Sequence, residues 1–406
     1  MGLALAVDAP PPSTVPVEVA GYFIDTTSGS PLHRITHFQT GQTFVLVRAY
    51  LIAVAVTYVP LALAALLGPA PIGAPSASVR LPFLYDWNII FTFLVSFPAV
   101  IVYTISDHAA LSAALSSIQQ DGILIVPEAE ARKLSRVWGP RFRRINQLSL
   151  VAGALVGLAL IVGNIHAYSQ PGVGFWVDFS DRRPGALLVG CAFLYCIVTV
   201  YFSMIVFVFR SIAIAFFLND VVDDAQLRMV PFHPDHCGGL RPVGRFGLRN
   251  QYVLSILGFN VVLLLGVTVS YLTIPSSLFA LITGAALAYL ILGPLVFMGP
   301  LLSFRTGMVR TKGELMGEIA QRLRRELQRL RKELPSGEIT RDDEELIDRL
   351  RKVGGVIDEL PVWPFDANTL RRFLTAYVTP LLGALAVPLL DKAWDVVLSV
   401  VKISAS

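Results

Sequence analysis

The densest chemistry in the chain is the run His233-Pro234-Asp235-His236-Cys237, which leads into Gly238-Gly239-Leu240. Two imidazoles, a carboxylate and a thiol so close together are the ligand types taken by Zn²⁺ or a related transition metal ion. The spacing matches no standard zinc pattern, and Cys237 is the one thiol at hand. His33, His37 and His108 would have to complete a composite site. The same residues also read as a proline-initiated turn in which Asp235 accepts backbone N–H bonds ahead of the glycine pair. Downstream, Gly238, Gly239, Gly244 and Gly247 interleave with Arg241, Arg245 and Arg249. Backbone amides and guanidinium groups at the start of a helix can hold a small anion, an anionic lipid headgroup or a phosphate. Ordinary charge anchoring with close loop–helix packing is the plainer account. Gly239 and Gly244 are followed by Arg245-Phe246 where a Walker loop requires Lys-Ser/Thr, so nucleotide binding of that kind is unsupported.

These residues must be positioned by helices that are mostly lipid-solvated. The chain has 406 residues, of which 54% are apolar and only 15% charged. A soluble domain carries about 25% charged residues. The apolar residues fall in blocks near the roughly 20 residues that a helix needs to cross a bilayer. Six such blocks are expected to span: 43–67, 88–105, 148–166, 186–218, 252–274 and 277–304. The fourth exceeds one crossing and should tilt or project. A seventh block, 373–390, is short, holds Pro380 and Pro388, and either crosses or lies in the interface. The fold class is therefore all-α, a polytopic membrane bundle.

Lys and Arg are distributed unevenly among the connections. Segments 107–146, 210–251 and 305–372 hold 26 of them, whereas 69–87 and 168–185 hold three. By the positive-inside rule the N-terminus and the three basic segments face the cytoplasm of what Arg-rich, Ala-rich composition suggests is a bacterium, with the inner (plasma) membrane as its location. Residues 1–42 form an irregular tail without a cleavable signal. The three cysteines offer no disulfide framework.

In 305–372, Leu315, Ile319, Leu323, Leu327, Leu330 and Leu334 recur at helical spacing and Pro335-Ser336-Gly337 interrupts them. Thr340 and Asp343 then open a second helix with Leu346, Leu350, Val353 and Ile357 on one face. A cytoplasmic helical hairpin continuous with span 6 is expected, its stripe buried against the membrane domain or another subunit. Within the spans, Arg210 is the one guanidinium far from a span end, a costly placement without a partner. Gly293-Pro294 and Gly299-Pro300 permit kinks in span 6 that would suit a gate.

Pro82-Phe83-Leu84 with Asp86, the His233–Leu240 run, and Pro361-Val362-Trp363-Pro364-Phe365-Asp366 together resemble a widespread family of uncharacterised bacterial multi-pass membrane proteins. That resemblance implies topology and carries no activity. Sparse intramembrane charge, a kinked span 6 and a helical assembly region lead to a homo-oligomeric channel or pore in the lipid bilayer as the expected function. The alternatives are a non-conducting sensor or scaffold that binds an anion, metal or partner at its cytoplasmic face, and a metal-dependent membrane enzyme. No motif for nucleophilic catalysis or nucleic-acid binding is present.

Overall fold

A computed structural model describes residues 43–383, apart from 69, 74, 77, 171, 231–232, 272–275 and 334–340. His33, His37, the Pro275 turn, the Pro335–Gly337 break and the last residues of the seventh apolar block lie outside the described residues. Among the described residues six helices are long and apolar enough to cross a membrane, and the protein is a multi-pass integral membrane protein. They are α1 (Thr43–Leu67), α2 (Trp87–Gln120), α3 (Glu128–Tyr168), α4 (Pro184–Asp224), α5 (Arg241–Tyr271) and α6 (Ser276–Glu333). Helices are required here because hydrocarbon offers no partner to a bare N–H or C=O. The lipid-facing stripe is plain on α3, where Leu148, Val151, Leu155, Leu158 and Val162 recur every three or four residues and are all exposed.

The segments read as loops at 107–146 and 210–251 are largely helical. α2 continues past Asp107 to Gln120, α3 starts at Glu128, α4 runs to Asp224 and α5 starts at Arg241. A helix of 41 residues, such as α3 or α4, is about 60 Å long, roughly twice a hydrocarbon core. The extensions keep an apolar stripe but carry charge on the other face, which ends the hydropathy signal without ending the helix. Leu111, Leu115 and Ile118 of α2, Leu134, Trp138 and Phe142 of α3, and Phe217, Leu218 and Val221 of α4 share one core there. Two short strands, β1 (Leu124–Ile125) and β2 (Gln226–Leu227), pair antiparallel and tie the α2–α3 connection to the end of α4.

α6 carries this extended end further as one uninterrupted helix to Glu333. α7 (Arg341–Asp358) runs antiparallel along it, with Arg329 paired to Asp343 and Lys312 lying 3.3 Å from Asp358. Leu330 and Ile357 are buried, while Leu327, Leu346 and Val353 remain exposed. The opposite end of the bundle carries short connections folded onto each other. Leu81 bridges Phe175, and Phe83, Trp176, Phe175, Tyr168 and Phe193 form an aromatic cap.

The seventh apolar block begins as helix α8, residues 367–383. It returns into the bundle beside α5 and α6: Phe373 stacks on Phe297 with centroids 4.1 Å apart, and a Cβ at Gly383 would touch Val262. Prolines inside the bundle explain two of its contacts. Pro294 has no amide to offer the carbonyl of Leu290, and the Tyr377 hydroxyl donates to that carbonyl at 2.9 Å. Pro98 likewise leaves the carbonyl of Leu94 short of a donor beside a π-helical turn, and the Tyr50 hydroxyl of α1 supplies one. Tyr377→Phe is therefore expected to lower stability in mild detergent by about 1–3 kcal/mol, the cost of a carbonyl left unmet where no water replaces the hydroxyl. Thermal unfolding of the purified variant, alongside Tyr50→Phe, measures it.

Candidate functional site

Asp235 organises the His233–Cys237 run. Its carboxylate accepts from the amides of Cys237 (2.9 Å), Gly239 (3.0 Å) and Arg241 (3.1 Å), and His233 Nδ1 lies 2.7 Å from it. Burial pushes this carboxyl up, but the three amides and His233 outweigh it and hold the group below its ordinary value. His236, Gly238 and Gly239 all have positive φ, so the backbone curls round the carboxylate as a turn that starts α5. Gly239 is obligatory: at φ +91°, a Cβ would lie 1.7 Å from Ile123.

This geometry gives the metal expectation for His233, Asp235, His236 and Cys237 no support among the described residues. Among the described residues no group of three or more His, Cys, Asp or Glu side chains is placed to hold a metal. Asp235 spends its lone pairs on the backbone. Cys237 is fully buried, and burial, reinforced by Asp235 and Asp366, pushes its thiol up to about 12, far from the thiolate that metals bind. His233 and His236 instead line a cleft of about 150 Å³ beside Gly238, Glu359 and Pro361.

The three arginines that follow do not share a site. Arg241 lies 3.5 Å from Asp366, Arg245 is exposed, and Arg249 points into the bundle. The glycines between them serve packing, since a Cβ at Gly244 would lie 2.6 Å from the carbonyl of Pro364. Gly293 and Gly299 act similarly in α6. Added Cβ atoms would meet Tyr377 at 2.4 Å and Ala215 at 3.2 Å, and the helix runs unbroken through Pro294 and Pro300.

Arg249 and Arg210 converge on a residue that the sequence placed at the end of a span. Asp107 of α2, only 4% exposed, lies 3.2 Å from Arg249 Nη1 and 3.8 Å from Arg210 Nη2. Arg249 also donates to the Tyr103 carbonyl and the Ser106 hydroxyl, with its guanidinium over the Tyr103 ring. Arg210 is itself 2% exposed. Three helices are thus pinned by one carboxylate between two guanidinium groups, which answers the cost of burying Arg210. The buried amides Asn250 and Gln251 adjoin this layer on α5.

Above it, towards the short-loop end, lies a chamber of about 210 Å³ between α2, α4, α5 and α6. Asn88, Thr92, Tyr201, Asn260 and Tyr289 supply its polar groups, and Ser96 donates to Asn260 at 3.0 Å. A smaller cavity of about 40 Å³ adjoins it, and Asn88, Ile197, Tyr201 and Leu264 line both. At its far side sits Asp86, the N-cap of α2. Asp86 Oδ1 accepts the Ile89 amide at 3.1 Å and Oδ2 accepts the Trp176 indole at 3.0 Å.

The chain matches no protein-family model, no curated protein and no solved structure. The resemblance drawn from its motifs therefore has no family match behind it, and the topology rests on the six spans.

Sequence reasoning missed Asp107 and Asp86 because each stands at a hydropathy boundary, where an acid ordinarily faces water. The available signal was periodicity: Asp107 shares a buried helical face with Thr104, Leu111 and Ala114. Asp107→Asn, which removes the carboxylate charge between the buried Arg210 and the partly buried Arg249, is expected to destabilise the fold by about 3–5 kcal/mol. Adding Arg249→Met should recover part of that loss, read by unfolding of both variants in the same detergent. For Asp235, the lowered pKa fixes the sign. Its contribution is present above the unfolded carboxylate pKa and is lost as pH falls through the lower folded value. Asp235→Asn should therefore flatten the acid limb of the stability–pH profile measured by thermal shift.

Proposed function

We propose that the protein conducts a small solute or ion across a bacterial plasma membrane, with the route inside each protomer and the extended helical end in the cytoplasm. The observation that carries this reading is the shared wall of the two cavities. Four residues line both, so adjoining space, walled mainly by apolar side chains with Asn88, Thr92, Tyr201, Asn260 and Tyr289 among them, runs from Asp86 at the short-loop end to the level of Leu254 and Val208. One turn further along α4 and α5 stand Arg210 and Asn250, then Arg249 on Asp107. In this reading that ion layer is the closed inner barrier. Sliding α2 relative to α5 would part Arg249 from Asp107 and join the chamber to the cytoplasm.

The charge asymmetry of the connections supports the orientation. The exposed apolar positions Leu327, Leu346 and Val353 on the α6–α7 hairpin support association between copies. Oligomers would then bring several conduits together without a shared axial pore. A sensor or scaffold role would leave the chamber without a task, so it takes second place.

Reconstitution into liposomes tests the proposal. Wild type should dissipate an imposed ion or solute gradient above protein-free vesicles. Ala285→Phe, which fills the chamber, should reduce flux at least about tenfold, and Arg249→Ala should raise the leak. Normal folding of each variant is checked by gel filtration. Absence of flux across a panel of inorganic ions and small neutral solutes, with both variants indistinguishable from wild type, would falsify the conduit.

A further inference from the structure

The smaller cavity has a chemical character of its own. Asp86 is 2% exposed, Asn164 6% and Thr268 fully buried, and all three line it. Two of them have a donor already committed. Asn164 Nδ2 donates to the Leu160 carbonyl at 2.8 Å, and Thr268 Oγ1 donates to the Leu264 carbonyl at 2.6 Å. Thr268 then has only oxygen lone pairs to present, and Asn164 keeps its carbonyl oxygen and one amide hydrogen. Asp86 adds carboxylate oxygens that accept the Ile89 amide and the Trp176 indole. Asp86 at the start of α2, Asn164 of α3 and Thr268 of α5 thus bring acceptors to one cavity, and no Lys or Arg lines it among the described residues.

A desolvated cavity that holds a carboxylate and is lined by no Lys or Arg repels anions and suits a hard cation, which takes oxygen ligands. One carboxylate balances one charge. Divalent sites of this kind use several carboxylates, and Asp86 is the only one lining this cavity among the described residues. The volume of about 40 Å³ exceeds the roughly 10–15 Å³ that one water requires, so an ion and a water fit. We propose, resting on the conduit reading for what the cavity serves, that Asp86, Asn164 and Thr268 form a binding site for Na⁺. The other titratable groups facing the cavity are the phenols Tyr168 on α3 and Tyr201 on α4; α5 contributes only the neutral Thr268.

The test is equilibrium ²²Na⁺ binding to the purified full-length protein in nanodiscs, in a choline background. One saturable site per protomer is expected at pH 8. Asp86→Asn keeps an N-capping side chain and should abolish saturable binding. Thr268→Val should weaken it about tenfold, the equivalent of one lost ligand or hydrogen bond, and Thr268→Ser should restore it. Trp176 fluorescence should change on Na⁺ addition in wild type and not in Asp86→Asn, because the indole shares that carboxylate. Non-saturable binding in wild type, or binding equal in wild type and Asp86→Asn, overturns the site. Saturable, Asp86-dependent binding in a protein that passes no flux keeps the site and removes the conduit. Flux without saturable Na⁺ binding does the reverse.

Discussion

Inside a bilayer a polar group without a partner has no water to fall back on, and the architecture of this protein follows from that single constraint. Backbone groups meet it by forming helices. Two of the carbonyls that prolines deprive of a donor meet it by recruiting tyrosine hydroxyls from other helices: Tyr50 reaches Leu94 from α1, and Tyr377 reaches Leu290 from α8. Pro98 and Pro294 therefore each cost a hydrogen bond inside one helix and create one between helices. α8 in particular is held where it is by this exchange. Tyr289 donates to the carbonyl of Tyr377 at 3.0 Å while Tyr377 donates to that of Leu290, so α6 and α8 are joined in both directions.

Charge obeys the same rule at higher stakes. Arg210 in a helix of otherwise apolar character would be prohibitive alone. It is tolerated because α2 brings Asp107 and α5 brings Arg249 to the same depth. The arrangement is mutually enforcing: each guanidinium lowers the cost of the carboxylate, and the carboxylate fixes the register of three helices at once. Exchange of such a layer for apolar packing is often neutral for stability alone. Its place between the chamber and the extended end gives it a reason to persist on the proposed pathway, where a barrier must hold and also release.

The fold class was legible because crossing helices impose a length and a hydropathy that no other element shares. Orientation could be argued from Lys and Arg for a similar reason. What escaped the sequence were the places where two signals conflict. The extensions of α2, α3 and α4 keep helical periodicity but lose hydropathy, so residues 107–120 and 128–146 read as loop although Leu111, Leu115 and Trp138 carry a core face. The His233–Cys237 run drew notice by composition, yet Asp235 is occupied by amides that no side-chain motif reveals. Arg249 was grouped with Arg241 and Arg245 by spacing. Four-residue steps place all three near one helical face, but α5 enters the bundle between Arg245 and Arg249, and the environment changes from solvent to protein within a turn.

Satisfaction also separates the structural polar groups from those with a further use. Thr57, Thr104 and Ser203 each donate to a carbonyl one turn back on their own helix, and none of them lines either cavity. Asn164 and Thr268 make the same local bond but turn their remaining oxygens to shared space with Asp86. A hydroxyl in a membrane helix is inexpensive when it bonds back to its own backbone. A carboxylate is not, and the N–H donors of Trp176, Ile89 and Asn88 only partly offset the burial of Asp86. The residual cost falls on the state in which Asp86 is ionised and the cavity holds no positive charge. A bound cation or a bound proton removes that cost, and the choice between them is set by pH and by the supply of the cation at the short-loop end.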